Sequence, residues 1–387
     1  MNEKAKSLGI LLAFEVGALA FTTHVGGGFA LGTQEVQYFV KFGKLGLYLP
    51  LISMALLSTV LYFAWEFQRL HGISDYKDFF EKFFGRFGKV FMVLYDIVFS
   101  CMVVLAAGAA LAGMSSALGG LLGFKISLYL GYLIAAVIVY LIASLGLKVV
   151  LASSAWMSIG IIGVIILLIA FRLPQIGSNL VNIPYKPLFG PTFFTSPFLS
   201  MLVYAGFQST LIGSYINGGS ILKTHKDTIG AGIISFLLSG IMLTFMVWTI
   251  SENYPAVLKD VTPTITIVNQ MPSIFTYLYC LMLLLALITT AVSVIYSSAK
   301  RWTRYGAGAK GRWGDEKFRL RIWVLIWLVA TYVISNVGIV KIIKYGYGFF
   351  GYVAIVLLIL PILILAPAKI ARKNRQLGEN KSQQVAQ

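Results

Sequence analysis

Three consecutive glycines lie in the middle of the first hydrophobic segment of this chain. Apolar sequence runs from about residue 8 to residue 40, and residues 22–30 at its centre read TTHVGGGFA. Each glycine in a helix costs about 1 kcal/mol relative to alanine. A backbone group left unpaired in hydrocarbon costs several kcal/mol more. The sequence therefore predicts a helix that is broken here, with its free amides and carbonyls facing a ligand cavity.

The composition is that of a membrane protein. Of the 387 residues, 58% are hydrophobic and 12% are charged, whereas soluble domains carry about 25% charged residues. Hydropathy predicts an all-α polytopic protein with about ten spans. We place these spans near residues 8–40, 45–66, 90–116, 127–146, 149–171, 197–222, 229–250, 274–298, 322–338 and 345–366.

The net charge of +17 reflects the orientation of the chain in the membrane. The largest basic block lies in the loop between the eighth and ninth spans, at residues 299–321. By the positive-inside rule, that loop and both termini are expected in the cytoplasm of a multi-pass protein of the cell membrane. Since the basic excess has this explanation, no nucleic-acid partner is expected. The first apolar run is too long for a signal peptide, and Cys101 and Cys280 form no disulfide or metal motif.

The chain divides into two sets of five spans at a proline-rich segment, residues 172–197. The sixth span opens the second set and is interrupted by polar and small residues at 204–208, YAGFQ. Interrupted helices at matching positions of two halves indicate an inverted repeat with a central binding site. We expect one transporter domain over residues 1–368, with repeats at 8–172 and 196–366. A disordered cytoplasmic tail is expected over residues 369–387.

Two further segments are predicted to be helical outside the spans. Residues 68–89 have the spacing of an amphipathic helix, which we expect at the cytoplasmic membrane surface. Residues 264–270 are expected to form a short helix over the external vestibule.

Three stretches resemble a known family: VGGGFALGTQEV at 25–36, YAGFQSTL at 204–211 and LLLALITTAVSVIY at 283–296. The chain resembles the LeuT fold of the amino acid–polyamine–organocation superfamily, and most of all the YkvI-type amino-acid permeases. The resemblance covers about residues 8–366. It implies a 5+5 inverted repeat, broken helices 1 and 6, and a mid-membrane substrate bound between spans one, three, six and eight.

A broken helix offers both partners that an amino-acid zwitterion needs. Amides at the start of the outer half-helix would bind the carboxylate, and carbonyls at the end of the inner half would bind the ammonium. The predicted substrate-binding residues are Thr23, Gly26, Gly27, Gly28, Tyr204, Ala205, Gly206 and Phe207. Two alternatives remain: Gly28 and Gly32 as a helix-packing face, and Tyr204 and Phe207 as a gate or as ordinary buried aromatics.

The resemblance also implies a sodium site between the break in span one and span eight. Its ligands would be the carbonyls of Thr22, Val25 and Ala286 and the hydroxyls of Thr289 and Thr290. Alternatively, these hydroxyls bond back to carbonyls of their own helix.

Ionisable residues at membrane depth are functional candidates. His24 lies at the break and is a candidate for proton coupling, or else a neutral side chain hydrogen-bonded to a freed carbonyl. Glu15 and Asp96 are candidates for an inner gate or for solvated helix ends. The sequence assigns no role to Glu35.

These observations lead to one expected function and several alternatives. We expect a secondary active transporter that moves a small neutral amino acid by alternating access, coupled to Na⁺ and without another cofactor. The alternatives are a proton-coupled carrier of an amino acid, nucleobase or other small organic solute, and a membrane sensor that binds a solute without transporting it. No enzyme activity is expected, since the chain lacks HExxH, GxSxG and Walker motifs. The sequence leaves the oligomeric state open.

Overall fold

The protein is described here from a computed structural model that covers residues 3–180, 183–189, 192, 195–260, 263–335 and 342–385. The regular structure within these ranges is helical, which confirms the all-α fold class. The first half forms α1 (Glu3–His24), α2 (Gly27–Ala30), α3 (Thr33–Tyr38), α4 (Leu49–Leu70), α5 (Tyr76–Phe84), α6 (Gly88–Leu122), α7 (Leu128–Ser144) and α8 (Leu147–Leu180).

The second half begins with two short helices and ends with a long one. It forms α9 (Pro197–Ser209), α10 (Ile212–Gly219), α11 (His225–Phe236), α12 (Met242–Ser251), α13 (Pro263–Val268), α14 (Ser273–Trp302) and α15 (Glu316–Ser335). A π-helical turn at Leu237–Ile241 joins α11 to α12. The last helical stretch is built from Ile342–Tyr347, Gly348–Ala354, Ile355–Ile359 and Leu360–Val385.

Seven helices in the described ranges are long and apolar enough to cross a membrane. Two shorter apolar helices, Leu8–His24 and Leu128–Ser144, lie in the predicted first and fourth spans. The sixth predicted span is divided between α9 and α10. These helices together match the order of the predicted spans, so the chain is a multi-pass membrane protein.

The first and sixth spans are both interrupted. The first is broken twice: between α1 and α2 at Val25 and Gly26, and again before α3 at Gly32, whose φ of +81° favours glycine. The second break was not predicted. The sixth span is interrupted at Thr210 and Leu211, whereas the sequence analysis placed the interruption at 204–208. That placement was wrong because those residues continue helix α9 to Ser209.

Helix α14 lies at the centre of the bundle and packs against α6, α8 and α1. Its middle and its C-terminal half are buried from Ala286 to Ala299. Helix α9 packs instead against Gly348–Ala354. Gly206 and Gly351 make that contact close, because a Cβ on Gly206 would lie 2.3 Å from the carbonyl oxygen of Gly351. Small residues allow such an approach of two helix backbones.

Helix α5 forms within the segment predicted to be amphipathic, but its apolar face lies inside the protein. Phe79, Phe80 and Phe83 are fully buried, and the ring of Phe80 stacks on Tyr95 of α6 with centroids 4.4 Å apart. The expectation that this segment lies on the membrane surface is therefore wrong. Its aromatic residues find a protein partner in α6, which follows directly in the chain.

A buried carboxylate ties α4 to α11. Glu66 is 1% exposed and accepts hydrogen bonds from Arg69 at 2.9 Å and from the Thr228 hydroxyl at 2.7 Å. The His225 ring nitrogen lies 3.0 Å from its other oxygen. Sequence analysis gave this residue no role, because its partners on α11 are about 160 residues away in the chain.

The final helix extends past Lys369 to Val385. The sequence analysis expected a disordered tail from residue 369, and the described structure has helical backbone there instead. Alanine, lysine, arginine and glutamine are good helix formers, which accounts for a helix in polar sequence. The proposed division into two repeats remains a prediction.

Candidate functional site

The break after α1 is a tight bend of the backbone. The Val25 amide still donates to the Phe21 carbonyl at 2.9 Å, but the Gly26 amide turns back to the His24 carbonyl at 2.9 Å. Helix α2 then begins at Gly27, and its first amides have no acceptor within that helix. This geometry releases carbonyls at the end of α1 and directs them at α14.

Five oxygen-bearing groups converge between α1 and α14. The Thr290 hydroxyl lies 3.0 Å from the Thr22 carbonyl oxygen and 3.2 Å from that of Val25. The Thr289 hydroxyl lies 3.4 Å from the Thr22 carbonyl oxygen and 3.1 Å from that of Ala286. We call these groups the oxygen cluster. All of its residues are at most 3% exposed.

The hydroxyls of the two α1 threonines point away from the oxygen cluster. Thr22 donates back to the carbonyls of Ala18 at 3.0 Å and Leu19 at 3.3 Å. Thr23 donates to the hydroxyl of Ser293 on α14 at 2.7 Å. The structure thus assigns the side chain of Thr23 to a second contact between α1 and α14.

His24 meets the sixth span at the break. Its Nε2 lies 2.8 Å from the hydroxyl of Tyr204 on α9, and Nδ1 has no hydrogen-bond partner among the described residues. The ring is 2% exposed and packs edge-on to Phe29. The sequence analysis offered a freed carbonyl as the partner of a structural His24, and the structure supplies a hydroxyl instead.

An aromatic layer covers the break on the side of α3 and α9. Tyr204 packs against Phe39 with ring centroids 4.7 Å apart and against Phe207 at 4.9 Å. Tyr38 lies 5.3 Å from Phe207, which stacks on Tyr347 at 5.0 Å. These five residues are at most 6% exposed. This layer closes the route from the break to the face of the protein that carries α13, which we call the α13 face.

A cavity of about 440 Å³ opens on the other side of the aromatic layer. Tyr38 forms part of its wall, together with Lys41, Ser200 and Tyr352. Lys186 lies nearby and donates to the Lys41 carbonyl at 2.7 Å. Burial, and secondly the charge of Lys186, lower the pKa of Lys41 to about 8. The two lysines give the entrance a positive potential that favours an approaching carboxylate.

The predicted site glycines differ in their surroundings. A Cβ on Gly26 would lie 3.4 Å from Thr290, so this glycine faces the oxygen cluster. A Cβ on Gly28 would overlap the amide of Gln34, which therefore occupies the space beside it. Gly206 and Ala205 lie inside α9, with Gly206 against Gly351. The substrate contacts assigned to these residues stay predictions.

The opposite face, which carries α5, is closed by ion pairs. Arg301 at the end of α14 lies 2.8 Å from the Asp96 carboxylate of α6, and Tyr76 of α5 donates to the same carboxylate at 2.9 Å. Arg304 pairs with Asp75 and, at 3.1 Å, with Asp78. Asp96 is thus an ion-paired gate candidate, as the sequence analysis proposed. Glu15 is half-buried on α1.

Glu35 is a feature that sequence reasoning did not assign. It lies on α3 with no exposed surface, and neither carboxylate oxygen has a hydrogen-bond partner among the described residues. The Gln34–Glu35 pair within a hydrophobic segment was the signal in the sequence.

The fold matches that of solved transporters. The sequence matches no family model and no curated protein. A Na⁺-coupled sialic acid symporter in a substrate-bound outward-open state superposes with a TM-score of 0.66 at 13% identity, over 91% of this chain and 79% of that one. MhsT bound to L-phenylalanine gives 0.62 at 15% identity, over 95% and 97%. Mhp1, a nucleobase-cation-symport-1 transporter with bromovinylhydantoin bound, gives 0.60 at 11% identity, over 89% and 75%. The chain therefore has the LeuT fold.

Proposed function

We propose that the protein is a secondary active transporter that moves a small neutral amino acid across the cell membrane by alternating access, coupled to Na⁺. The oxygen cluster is the observation that carries this proposal. Resemblance alone led to five groups on two helices that are more than 260 residues apart, and the fold brings all five together. No other role is evident for hydroxyls and carbonyls concentrated at a helix break.

The spacing of the oxygen cluster suits a small hard cation. Oxygen ligands lie about 2.3–2.6 Å from Ca²⁺, whose size is close to that of Na⁺. Neighbouring ligands at right angles are then roughly 3.3–3.7 Å apart. The hydroxyl–carbonyl distances of 3.0–3.4 Å are near this range. The cluster carries no carboxylate, so it suits a monovalent ion better than a divalent one.

The substrate would bind beside the oxygen cluster at the break. The amides that begin α2 would bind its carboxylate, and Tyr204 and Phe207 would contact its side chain. No Lys or Arg side chain lies among the residues named for the site, which supports a neutral substrate. Of the similar transporters, MhsT was solved with a neutral amino acid, L-phenylalanine.

The two closed faces supply the gates that alternating access needs. The α13 face would be external, because the basic loop between α14 and α15 then lies in the cytoplasm and satisfies the positive-inside rule. The aromatic layer would open toward the external cavity. The ion pairs of Asp96 and Arg304 would open toward the cytoplasm.

The inner gate leads to a prediction. Replacing Asp96→Asn removes the carboxylate charge that holds Arg301, and a buried charge left without its partner is destabilising. We expect the α5 face to open more often. In a Cys101→Ser, Cys280→Ser background, a Ser298→Cys probe on α14 should then react several-fold faster with a water-soluble maleimide, because Ser298 is fully buried in the closed state.

The control for this prediction is an ion pair on the same face that lies within one helix. Glu81 pairs with Lys77 at 3.6 Å along α5, and both side chains are partly exposed. Such surface pairs contribute about 0–1 kcal/mol. Glu81→Gln should therefore leave the reactivity of the probe unchanged. Equal reactivity of the probe in the Asp96→Asn variant and its parent would contradict the gate.

A heterocyclic solute is the second candidate substrate. The aromatic layer at Tyr204 and Phe207 favours it, since flat rings stack on such side chains. Mhp1 was solved with a hydantoin compound. Proton coupling through His24 is the alternative to sodium, and a solute sensor is the alternative to transport.

Thermal stability of the purified protein tests the proposal. A ligand that binds only the folded state stabilises it by RT ln(1 + [L]/Kd). We expect neutral amino acids to raise the Tm in sodium buffer and to lose this effect in choline buffer. A response to nucleobases alone would assign the second candidate substrate. No response to either class in sodium would contradict the proposed cargo.

A further inference from the structure

We propose that Glu35 is the proton-carrying residue of the transport cycle, neutral while the site is closed and charged when the α13 face opens. This inference rests on the proposed transport function and adds a proton to it. It goes beyond the oxygen cluster, since Glu35 lies on α3 and not on α1 or α14.

The first argument is the isolation of the carboxylate. Glu35 is fully buried in a hydrophobic segment, and neither oxygen accepts a hydrogen bond from any described residue. None of the ion pairs in the described ranges includes it. A charged carboxylate in such surroundings is very costly, and such a group is normally neutralised by a proton.

The second argument is the absence of a cationic partner on the elements around it. Helix α3 packs against α2, α9, α12 and the turns at Val40–Leu47 and Ile342–Tyr347. Their described titratable side chains are Lys41, Lys44, Tyr204, Tyr345 and Tyr347, with Glu252 at the end of α12. Lys41 and Lys44 make no ion pair with Glu35. Its recorded electrostatic neighbours are the neutral phenols of Tyr204 and Tyr279.

The third argument is the position of Glu35 between the cavity and the break. Tyr38 lies one helical turn further along α3 and lines the external cavity, so Glu35 lies just inside that wall. On the inner side, Tyr204 contacts both the aromatic layer and His24. A movement of α3 that opens the aromatic layer would bring water to Glu35 before it reached the break.

The proposed step is a simple proton transfer. In the open state, the carboxylate of Glu35 takes one proton from water in the cavity and becomes a neutral carboxylic acid. Neutralisation removes the cost of burying it, so the α13 face closes over the bound substrate. When the α5 face opens, the acid returns the proton to water on that side. One proton thus crosses with each cycle, and no bond other than O–H forms or breaks.

The test uses the full chain reconstituted in liposomes, with a radiolabelled mixture of neutral amino acids as the probe. We expect the wild type to accumulate label when an inward proton gradient is imposed with sodium equal on both sides. Glu35→Gln should lose that accumulation but keep sodium-dependent exchange of labelled for unlabelled substrate. Glu15→Gln, a half-buried membrane glutamate on α1, is the matched control and should behave as wild type.

Two results would overturn the inference. Proton-driven accumulation by Glu35→Gln at the wild-type level would show that another group carries the proton. Loss of exchange as well, in a variant that elutes as a folded protein, would show that Glu35 binds the substrate instead.

A labelling experiment on the wild type covers the case in which Glu35→Gln does not fold. Dicyclohexylcarbodiimide reacts with protonated carboxyl groups in apolar surroundings, and peptide mass spectrometry locates the adduct. We expect an adduct at Glu35 that decreases from acidic to alkaline buffer, and its absence at all pH values would overturn the inference. If wild type exchanges no neutral amino acid, the proposed cargo fails while this labelling still decides the role of Glu35.

Discussion

Replacing both Thr289 and Thr290 by alanine is expected to abolish the response of the protein to sodium. The double variant removes two of the five oxygens of the cluster and leaves the Thr22 and Val25 carbonyls without their α14 partners. At a sodium concentration 100-fold above Kd, a bound ion stabilises the folded state by about 2.7 kcal/mol. We expect the sodium-dependent rise in Tm, and sodium-dependent substrate binding, to disappear in the variant.

Thr22 provides the matched control for that prediction. Its carbonyl belongs to the oxygen cluster, but its hydroxyl bonds back to Ala18 and Leu19. Thr22→Val should therefore keep the sodium response, although it lies in the same site. Serine at positions 289 and 290 should also keep it, because serine retains the hydroxyl. A full sodium response in the double alanine variant would place the ion elsewhere.

Gly206→Ala is expected to destabilise the protein by overpacking. The new Cβ would lie 2.3 Å from the Gly351 carbonyl oxygen, and a backbone atom in a helix cannot move aside as the end of a flexible side chain does. Overpacking of this kind typically costs about 1–3 kcal/mol. Gly351→Ala should act in the same way, since its Cβ would lie 2.6 Å from the Val203 carbonyl oxygen. Both effects should be measurable as a lower Tm without ligand.

Gly163→Ala is the control for the glycine variants. This glycine lies within α8, and nothing is within 4 Å of the position where its Cβ would be. Alanine there should leave the Tm unchanged or raise it, because alanine favours a helix by about 1 kcal/mol over glycine. If Gly206→Ala keeps the wild-type Tm but no longer responds to amino acids, Gly206 contacts the substrate, as the sequence analysis predicted.

The break in the first span could be predicted from sequence because its cause is local. Three glycines in a hydrophobic segment disfavour a continuous helix wherever that segment lies, and α1 ends at His24 as expected. The interruption in the sixth span was misplaced because its signal was weaker. Tyr204 to Gln208 includes a single glycine, and the helix continues through it since Gly206 serves the contact with Gly351.

Partners that are distant in sequence were beyond sequence reasoning. His24 meets Tyr204 across 180 positions, and Asp96 meets Arg301 across 205. Hydropathy predicts that such residues lie in spans but not which helix faces which. The resemblance to the LeuT fold supplied that missing information at the oxygen cluster, where the predicted groups of α1 and α14 do lie together. It supplied nothing for Glu35.

The most direct test of the account is a counterflow experiment. Liposomes containing the purified protein are loaded with unlabelled neutral amino acids and diluted into buffer that contains a trace of labelled substrate and sodium. We expect the label to enter and rise transiently above its equilibrium level, and we expect no such rise in choline or with the Thr289→Ala, Thr290→Ala variant. Binding of the labelled amino acid without any transient entry would contradict transport and identify the protein as a solute sensor.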